Sequence, residues 1–227
     1  MVVARRVTVL LVAAAVAALC VRLGFWQLDR LQERRASNDR IRAGLAAEPV
    51  VLAEAPGPGS APRRAIATGT YDVEHEVVLF GRSLEGRSGD HLLVPLLLPD
   101  GSALLVDRGW VPTGRRAPAP AGQVEIRGIL LPPESVGDSV PASGRITDVD
   151  PDGIERTLPY ELAPVYLLLQ QQRPTPEPLP IPAPMPEPTE GPHLSYAIQW
   201  FSFAAVALIG GAVLFGREGR VEDPVGE

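Results

Sequence analysis

The chain has 227 residues, a formal net charge of −6 and one cysteine. The acidic balance excludes a general nucleic-acid-binding protein, because such a protein needs a basic face. One cysteine can form neither an intrachain disulfide nor a cysteine-based metal site. The length suits one domain with attachments, and the apolar residues, 45% of the total, are concentrated at the two ends of the chain.

The first apolar run covers residues 7–21 and follows two arginines, as in a signal peptide. No small-residue cleavage site comes after it, so we expect an uncleaved transmembrane helix over residues 7–26. Its length of about 20 residues is enough to cross a hydrocarbon core of about 30 Å. Trp26 at its end is typical of the aromatic belt at a membrane surface. The arginine-rich segment 27–48 ends before Pro49 and predicts a membrane-proximal helix with a solvated face.

The second apolar run, residues 196–215, contains no charged residue and predicts a second transmembrane helix. Small residues recur in it at helical spacing, at Ala207 and Gly211, and in the first helix at Ala14 and Ala18. Such pairs allow two helices to approach closely. The alternative is that these are ordinary lipid-facing residues.

The arginines that flank the two helices predict an orientation. Arg217 and Arg220 follow the second helix, while residues 174–195 contain no lysine or arginine, so we expect the C-terminus in the cytoplasm. The charges around the first helix favour the opposite orientation, but long domains translocate regardless of charge. We therefore expect both termini in the cytoplasm and the middle of the chain outside it.

Between the helices, short apolar runs are separated by turn residues, which predicts β-strands. The pair HLLVPLLL and ALLVDR, on either side of the turn at 99–102, predicts a hairpin. The glycine-rich stretch 81–90 predicts a hairpin loop. The predicted fold class is a membrane protein with two transmembrane α-helices flanking a small, mainly antiparallel β (α+β) extracytoplasmic domain. The predicted strands are Arg64–Tyr71, Glu76–Gly81, His91–Leu98, Ala103–Arg108, Val124–Leu131 and Val165–Gln170.

From 174 to 188 every second residue is proline, so this tract cannot be a central strand. We expect a stiff polyproline II spacer of about 3.1 Å per residue, and the alternative is a ligand for a partner's aromatic groove. The predicted organisation is a cytoplasmic N-terminal tail (1–6), a first transmembrane helix (7–26), a membrane-proximal helix (27–48), an extracytoplasmic β domain (49–173), a proline-rich linker (174–192), a second transmembrane helix (193–216) and a cytoplasmic C-terminal tail (217–227).

The sequence contains no HExxH motif, no phosphate-binding loop and no Ser-His-Asp order, so we expect no enzyme. His75 and His91 are each either a metal ligand or, as single histidines of a β domain more often are, an ordinary surface or core residue. In VDRGWVP, Trp110 and Arg108 are residue types that favour binding surfaces, and Gly109 allows a bulge that reorients them. The alternative is that Trp110 packs in the core and Arg108 pairs with a nearby acid such as Asp107 or Asp100.

Four stretches, in this order, carry a resemblance to a known family: LGFWQLDRLQER, GDHLLVPLLLPDGSALLVDRGWVP, VEIRGIL and HLSYAIQWFSFA. With its two-helix frame, the chain resembles the SURF1 (Shy1) family of cytochrome c oxidase assembly factors, and in particular its bacterial, actinobacterial-type members. The likeness covers most of the chain and is loose over residues 131–192.

The resemblance implies a membrane protein that assists insertion of haem a into the largest subunit of an aa3-type haem-copper oxidase. Its implied partners are oxidase subunit I, haem A delivery or other assembly factors, and membrane lipids. It also implies that His193 binds the iron of a transiently held haem a. Tyr196 and Trp200, three and seven residues on, share a helix face with His193 and can pack against the macrocycle. Candidate interaction residues are Arg108, Trp110, Trp26 and Gln27.

A haem-free membrane scaffold, which holds oxidase subunits or assembly factors together, is the alternative function. In that case VDRGWVP is the contact surface and His193 is a polar residue of an ordinary interfacial belt. A haem carrier purified from cells that make haem A should show a Soret band, and a scaffold should not.

Overall fold

A computed structural model describes residues 2–135, 137, 144–175, 178–185 and 188–220. Parts of the predicted tails and linker (residues 1, 176–177, 186–187 and 221–227) lie outside the described residues. The helices are α1 (Val2–Ala46), α2 (Pro151–Glu155) and α3 (His193–Arg220). The strands are β1 (Val50–Leu52), β2 (Arg63–Tyr71), β3 (Val77–Leu84), β4 (Arg87–Leu97), β5 (Ala103–Pro112), β6 (Gln123–Leu131), β7 (Arg145–Ile146) and β8 (Leu162–Arg173).

The chain forms two compact units. We call Met1–Asp39 with Pro188–Glu227 the helical unit, and Arg40–Glu187 the β unit. α1 and α3 each contain a stretch that is long and apolar enough to cross a membrane. The predicted fold class, a membrane protein with two transmembrane helices and a β domain between them, is confirmed. α1 continues without a break past residue 26, so the membrane-proximal segment is part of the same 45-residue helix.

A regular stripe of mostly small residues packs α1 against α3 in the helical unit. Ala17, Cys20 and Ala204 form one buried cluster, to which Trp200 and Ala207 add partly buried surface. We call this stripe the seam. Its positions recur at alternating spacings of four and three residues, as in a coiled coil. The seam consists of Ala13, Ala17, Cys20, Gly24 and Gln27 on α1, and of His193, Ala197, Trp200, Ala204, Ala207 and Gly211 on α3.

Glycines in the seam allow the two backbones to approach closely. A β-carbon on Gly24 would overlap the ring of Phe201, and one on Gly211 would overlap the β-carbon of Ala13. Because Ala13 faces Gly211 while Gln27 faces His193, the helices run antiparallel. Small residues at such a contact increase the packing area between membrane helices.

The predicted small-residue pairs are half right. Ala207 and Gly211 lie on the seam, but Ala14 and Ala18 are exposed. The contact face begins one residue earlier, at Ala13, and successive residues of a helix point about 100° apart. The apolar first helix contains so many alanines that its sequence does not define which face packs.

Five strands of the β unit close into a ring, in the order β2, β6, β8, β5 and β4. Thr70 and Tyr71 of β2 pair with Leu97 and Leu96 of β4, which completes the ring. β1 extends it beyond β2, and β3 and then β7 extend it beyond β4. Most pairs are antiparallel, and β5 with β8 is the parallel pair inside the ring. Inward-facing side chains form the main apolar core: Ala65, Ala67, Tyr71, Val94, Leu96, Leu104, Val106, Val124, Ile126, Leu130, Ala163, Val165, Leu167 and Leu169.

A second apolar cluster covers the outer face of the ring. Ile146, Val149 and Ile154, from the chain between β6 and β8, pack there on Leu79, Leu93, Leu105 and Tyr166. Pro151 begins the short helix α2, a position where its missing N–H costs nothing. The two clusters make a layered core, with the β4 and β5 strands buried on both faces.

The predicted strands are confirmed, with ends that differ by a few residues. The loop predicted over 81–90 is wrong, because β3 continues to Leu84 and β4 begins at Arg87. The turn consists of Glu85 and Gly86, which both have positive φ, of 51° and 77°. Two such residues make the tight turn that matches the twist of a hairpin.

The proline tract contacts the β unit instead of forming a free spacer. Ile181 exchanges two backbone hydrogen bonds with Trp110, of 2.7 and 2.9 Å. Pro180 and Ala183 are buried, and the Gln170 side chain donates to the Ala183 carbonyl. In an alternating tract every second residue keeps its N–H, so one residue can still form a bridge. We call residues 178–185 the proline strap, and for them the spacer prediction is wrong.

Candidate functional site

His193 begins α3 and is the first residue of the seam on that helix. The carbonyl of Pro192 accepts hydrogen bonds from the Tyr196 amide (3.1 Å) and the Ser195 hydroxyl (2.8 Å). These bonds satisfy donors of the first turn, which otherwise have no partner within a helix. The imidazole is therefore attached to a well-formed helix end and is half-buried.

The imidazole of His193 contacts α1 through one nitrogen. Its Nδ1 lies 2.9 Å from Oε1 of Gln27, a residue 166 positions away in the chain. Among the described residues, Nε2 of His193 forms no hydrogen bond. The predicted cofactor ligand His193 and the predicted interaction residue Gln27 are therefore hydrogen-bond partners.

The two predicted aromatic neighbours of His193 have different environments. Trp200 lies on the seam, packs against the Ala17, Cys20 and Ala204 cluster, and meets the ring of Phe203 edge to face at 5.9 Å. Tyr196 lies beside the seam and is 45% exposed. The structure therefore places His193 and Trp200 on one face of α3 and Tyr196 on its flank.

Trp26 and Gln27 are neighbours in sequence but face different directions. Gln27 is half-buried in the seam, whereas Trp26 is 49% exposed. The Arg30 guanidinium lies 6.0 Å from the centre of the Trp26 ring, at the outer limit of a cation–π contact. Trp26 is available for contact with lipid or protein.

Arg108 and Trp110 are buried, at 1% and 2% exposure. They flank a bulge in β5: Arg108 and Gly109 together oppose one residue of β4, Leu92. The predicted bulge at Gly109 is confirmed. Its φ of 114° suits glycine, and a β-carbon there would overlap the Ile181 carbonyl. The burial of Arg108 and Trp110 in the β unit agrees with a packing role rather than with an exposed contact surface.

Arg108 binds backbone carbonyls, not a carboxylate. Its guanidinium donates to the carbonyls of Ala117 (2.8 Å) and Pro118 (3.1 Å) and lies 5.5 Å from the centre of the Tyr71 ring. The alternative that it pairs with Asp107 or Asp100 is wrong. Burial lowers the pKa of Arg108, and the nearby negative charge of Glu76 opposes that effect. The residue ties the loop after β5 to the ring.

Asp107, the acid of the same motif, holds His91. Its Oδ2 lies 2.8 Å from Nδ1 of His91, and its Oδ1 accepts from the Gly109 amide at 2.9 Å. Sequence reasoning missed this pair, although His91 and Asp107 lie on the two arms of the predicted hairpin. The bulge changes the register between the arms, so counting from the turn does not show which residues meet.

The SURF1 family model matches residues 14–205. The chain belongs to the SURF1 family.

Individual relatives agree. The chain is 30% identical over 223 residues to an uncharacterized SURF1-like protein of Mycobacterium tuberculosis, with 88% of this chain and 79% of that protein covered. It is 26% identical over 212 residues to a SURF1-like protein of Rickettsia felis, at 88% and 92% coverage. A SURF1-like protein of Monosiga brevicollis is 26% identical over 209 residues, at 82% and 79% coverage. The mycobacterial relative agrees with the predicted likeness to actinobacterial members.

Membership of the SURF1 family implies a role in cytochrome oxidase assembly. The family is one of assembly factors and not a known class of enzyme. Of this SURF1 chain's other histidines, His75 faces the Asp72 carboxylate at 2.7 Å, as His91 faces Asp107. Within the described residues, no group of three or more His, Cys, Asp or Glu side chains could hold a metal ion.

Proposed function

We propose that this SURF1-family protein assists insertion of haem a into the largest subunit of an aa3-type oxidase, with His193 as an axial ligand of the haem iron. One observation carries the proposal. At the mouth of a membrane helix, one imidazole nitrogen is held by Gln27 and the other has no hydrogen-bond partner among the described residues.

The residues fit a haem. Imidazole is a common axial ligand of haem iron, and ligating histidines usually donate their second nitrogen to an oxygen acceptor, as Gln27 provides here. Tyr196, at 45% exposure, presents an aromatic ring one turn along the helix. The haem would supply the redox-active iron that the oxidase later uses. The chain's own residues only bind the macrocycle, orient it and release it.

The position of His193 suits an apolar cofactor that arrives through lipid. α3 is predicted to cross the membrane from this residue onward, so the imidazole lies where the helix meets the interface. Two antiparallel helices that both span the membrane support an arrangement with both chain ends on one side of it. Our proposed orientation has these ends in the cytoplasm and the β unit, with His193 and Gln27, on the outer side.

The proposed partners are oxidase subunit I, a haem A delivery protein or other assembly factors, and membrane lipids. Subunit I must approach the helix mouth for haem to pass to it. Trp26 is an exposed aromatic residue near that mouth, and tryptophan is a frequent anchor of protein interfaces. We therefore assign docking to the surface around Trp26 in preference to the buried Arg108 and Trp110.

The test is the haem content of the full chain, purified in detergent from cells that make haem A. We expect a haem a band in the reduced-minus-oxidised spectrum of the wild type and a large loss in His193→Ala. His75→Ala is the matched control, since it removes a histidine of the β unit, and it should keep the band. Haem retained in folded His193→Ala, or no haem in folded wild type, would overturn the proposal.

A haem-free scaffold is the second candidate function, and it would dock through the same exposed Trp26. In that case Trp26→Ala should reduce co-purification of oxidase subunit I, while wild-type protein shows no Soret band. The burial of Arg108 and Trp110 removes VDRGWVP as the exposed contact surface that this function was expected to use.

A further inference from the structure

The contact between Gln27 and His193 is the polar layer of an otherwise apolar seam. Both residues occupy seam positions, continuing the alternation of four and three residues on their helices. Their neighbours along the seam are Gly24 on α1 and Ala197 on α3, which are both buried. A polar pair in such a place is costly unless its groups satisfy one another, so the contact needs a specific reason.

We propose that Gln27 is a positioning residue that fixes the tautomer of His193, so that Nε2 is the nitrogen presented to a ligand. This inference rests on the proposed function, because that function gives the tautomer a use. The assignment of the tautomer itself follows from the geometry of the contact. An amide oxygen has lone pairs and no proton, so it can only accept. With Oε1 of Gln27 2.9 Å from Nδ1, the shared proton must belong to the imidazole.

A neutral imidazole carries one proton, which leaves the other nitrogen with a lone pair. With the proton on Nδ1, the lone pair lies on Nε2, which has no partner among the described residues. The contact therefore prepares the donor atom before any ligand arrives. It also limits ring rotation, because turning the ring about χ2 would break the bond to Gln27.

The partner is neutral, which matters at the edge of a membrane. A carboxylate in the same place would also accept from Nδ1, but it would bring a negative charge into a half-buried contact at the helix end. The amide oxygen of Gln27 orients the imidazole of His193 without adding a charge.

A purely structural role for Gln27 predicts something different. A polar pair in a helix seam can also set the register of the two helices. Loss of that role would disturb packing without any particular effect on which nitrogen is protonated. The test must therefore read the tautomer directly.

The experiment uses haem-free full chain in detergent, labelled with ¹⁵N at histidine, at about pH 8 where an ordinary imidazole is neutral. The chain has three histidines, and His193→Ala assigns the signal. We expect the wild type to show a protonated Nδ1 and an unprotonated Nε2. Gln27→Glu, which keeps an oxygen acceptor, should give the same tautomer. Gln27→Met, of similar length without an acceptor, should lose it.

Haem titration gives the second readout. We expect added ferric haem to bind Gln27→Met about 10- to 100-fold more weakly than wild type, the usual loss when the hydrogen-bond partner of a metal-ligating histidine is removed. Gln27→Glu should retain most of the affinity. Unchanged signals of His75 and His91 show that the β unit is intact in each variant.

The outcomes separate the two proposals. A wild type protonated on Nε2, as when the amide group of Gln27 donates instead of accepting, overturns the inference. So does a Gln27→Met variant with an unchanged tautomer. If the tautomer responds as expected but no variant or wild type binds haem, the inference about Gln27 stands and the haem function fails.

Discussion

Two histidine contacts in this molecule use the same ring nitrogen, but one partner is charged and the other is neutral. In the β unit, Nδ1 of His91 faces the carboxylate of Asp107, and the side chains are only 13% and 4% exposed. In the helical unit, Nδ1 of His193 faces the neutral amide of Gln27, and the ring is half-buried. The first contact is enclosed by strands, and the second lies at a helix end.

The difference shows what each contact can do. An enclosed carboxylate must keep its partners, because a buried charge left alone is costly. Asp107 uses both oxygens, one for His91 and one for the Gly109 amide, and so fixes the β5 bulge. The amide of Gln27 brings no charge, and it leaves the far nitrogen of His193 without a partner among the described residues. The first contact stabilises the fold, and our proposal is that the second prepares a site.

The largest effect should come from Gly109→Val. A β-carbon at this position would overlap the Ile181 carbonyl, and the φ of 114° is strained for any residue but glycine. We therefore expect the β unit to lose about 3 kcal/mol of stability. Urea unfolding followed by Trp110 fluorescence, with Trp26 and Trp200 replaced by Phe, measures it. Gly101→Val is the matched control, since its φ is 88° with nothing within 4 Å, and it should cost about 1 kcal/mol. Equal costs at the two glycines would mean that the strap contact contributes nothing.

The second prediction concerns Asp107 itself. Asp107→Ala removes both hydrogen bonds and leaves His91 and the Gly109 amide buried without them, so we expect a loss of about 2–3 kcal/mol. The same unfolding assay measures it. Asp100→Ala is the control: this exposed turn residue accepts from the Ser102 amide and hydroxyl, and we expect less than about 1 kcal/mol. If Asp107→Ala were as mild as the control, the contrast with Gln27 would disappear.

The smallest effect should come from the part-buried contact between His75 and Asp72. Burial alone would raise the pKa of Asp72, but hydrogen bonds from Tyr160 and His75 outweigh burial and lower it. A carboxyl with a lowered folded pKa stabilises the fold above its unfolded pKa of about 3.9. That contribution is lost as pH falls through the folded value.

Removing one hydrogen bond tests this pH dependence. Tyr160→Phe removes the 2.6 Å bond to Asp72, so we expect about 1 kcal/mol less stability at neutral pH. We also expect a smaller loss of stability between neutral pH and pH about 3, because less of the lowered pKa remains. Unfolding at a series of pH values checks both. Tyr196→Phe on α3 should leave the β-unit curve unchanged, and an identical acid profile for Tyr160→Phe would contradict the assignment.

The local features of this fold follow from local sequence. The hairpin of β4 and β5 has a turn with proline and glycine between two apolar runs, and the bulge has a glycine where a positive φ is needed. The two membrane helices can be predicted because each contains a long apolar run without charged residues. His193 is found from sequence because it stands alone at the start of such a helix, within a stretch that resembles a known family.

The missed features all depend on distant parts of the chain. Gln27 and His193 meet only because the rotation of both helices about the seam brings them together, and the alanine-rich first helix does not specify that rotation. The strap depends on a free edge at Trp110, which exists because β8 has ended its pairing with β5 by Asp107. Neither the helix rotation nor the free strand edge can be predicted from the local sequence around the residues that meet.

The place of β8 in the ring has a consequence for how the protein is made. β8 is the last strand among the described residues, yet it lies between β5 and β6, which are synthesised earlier. Until Leu162–Arg173 has been synthesised, β5 and β6 each have an unpaired edge and the ring is open. The ring can therefore close only shortly before the second membrane helix follows in the chain. A chain cut short before Leu162 should be a substrate for proteolysis, however sound its earlier hairpins are.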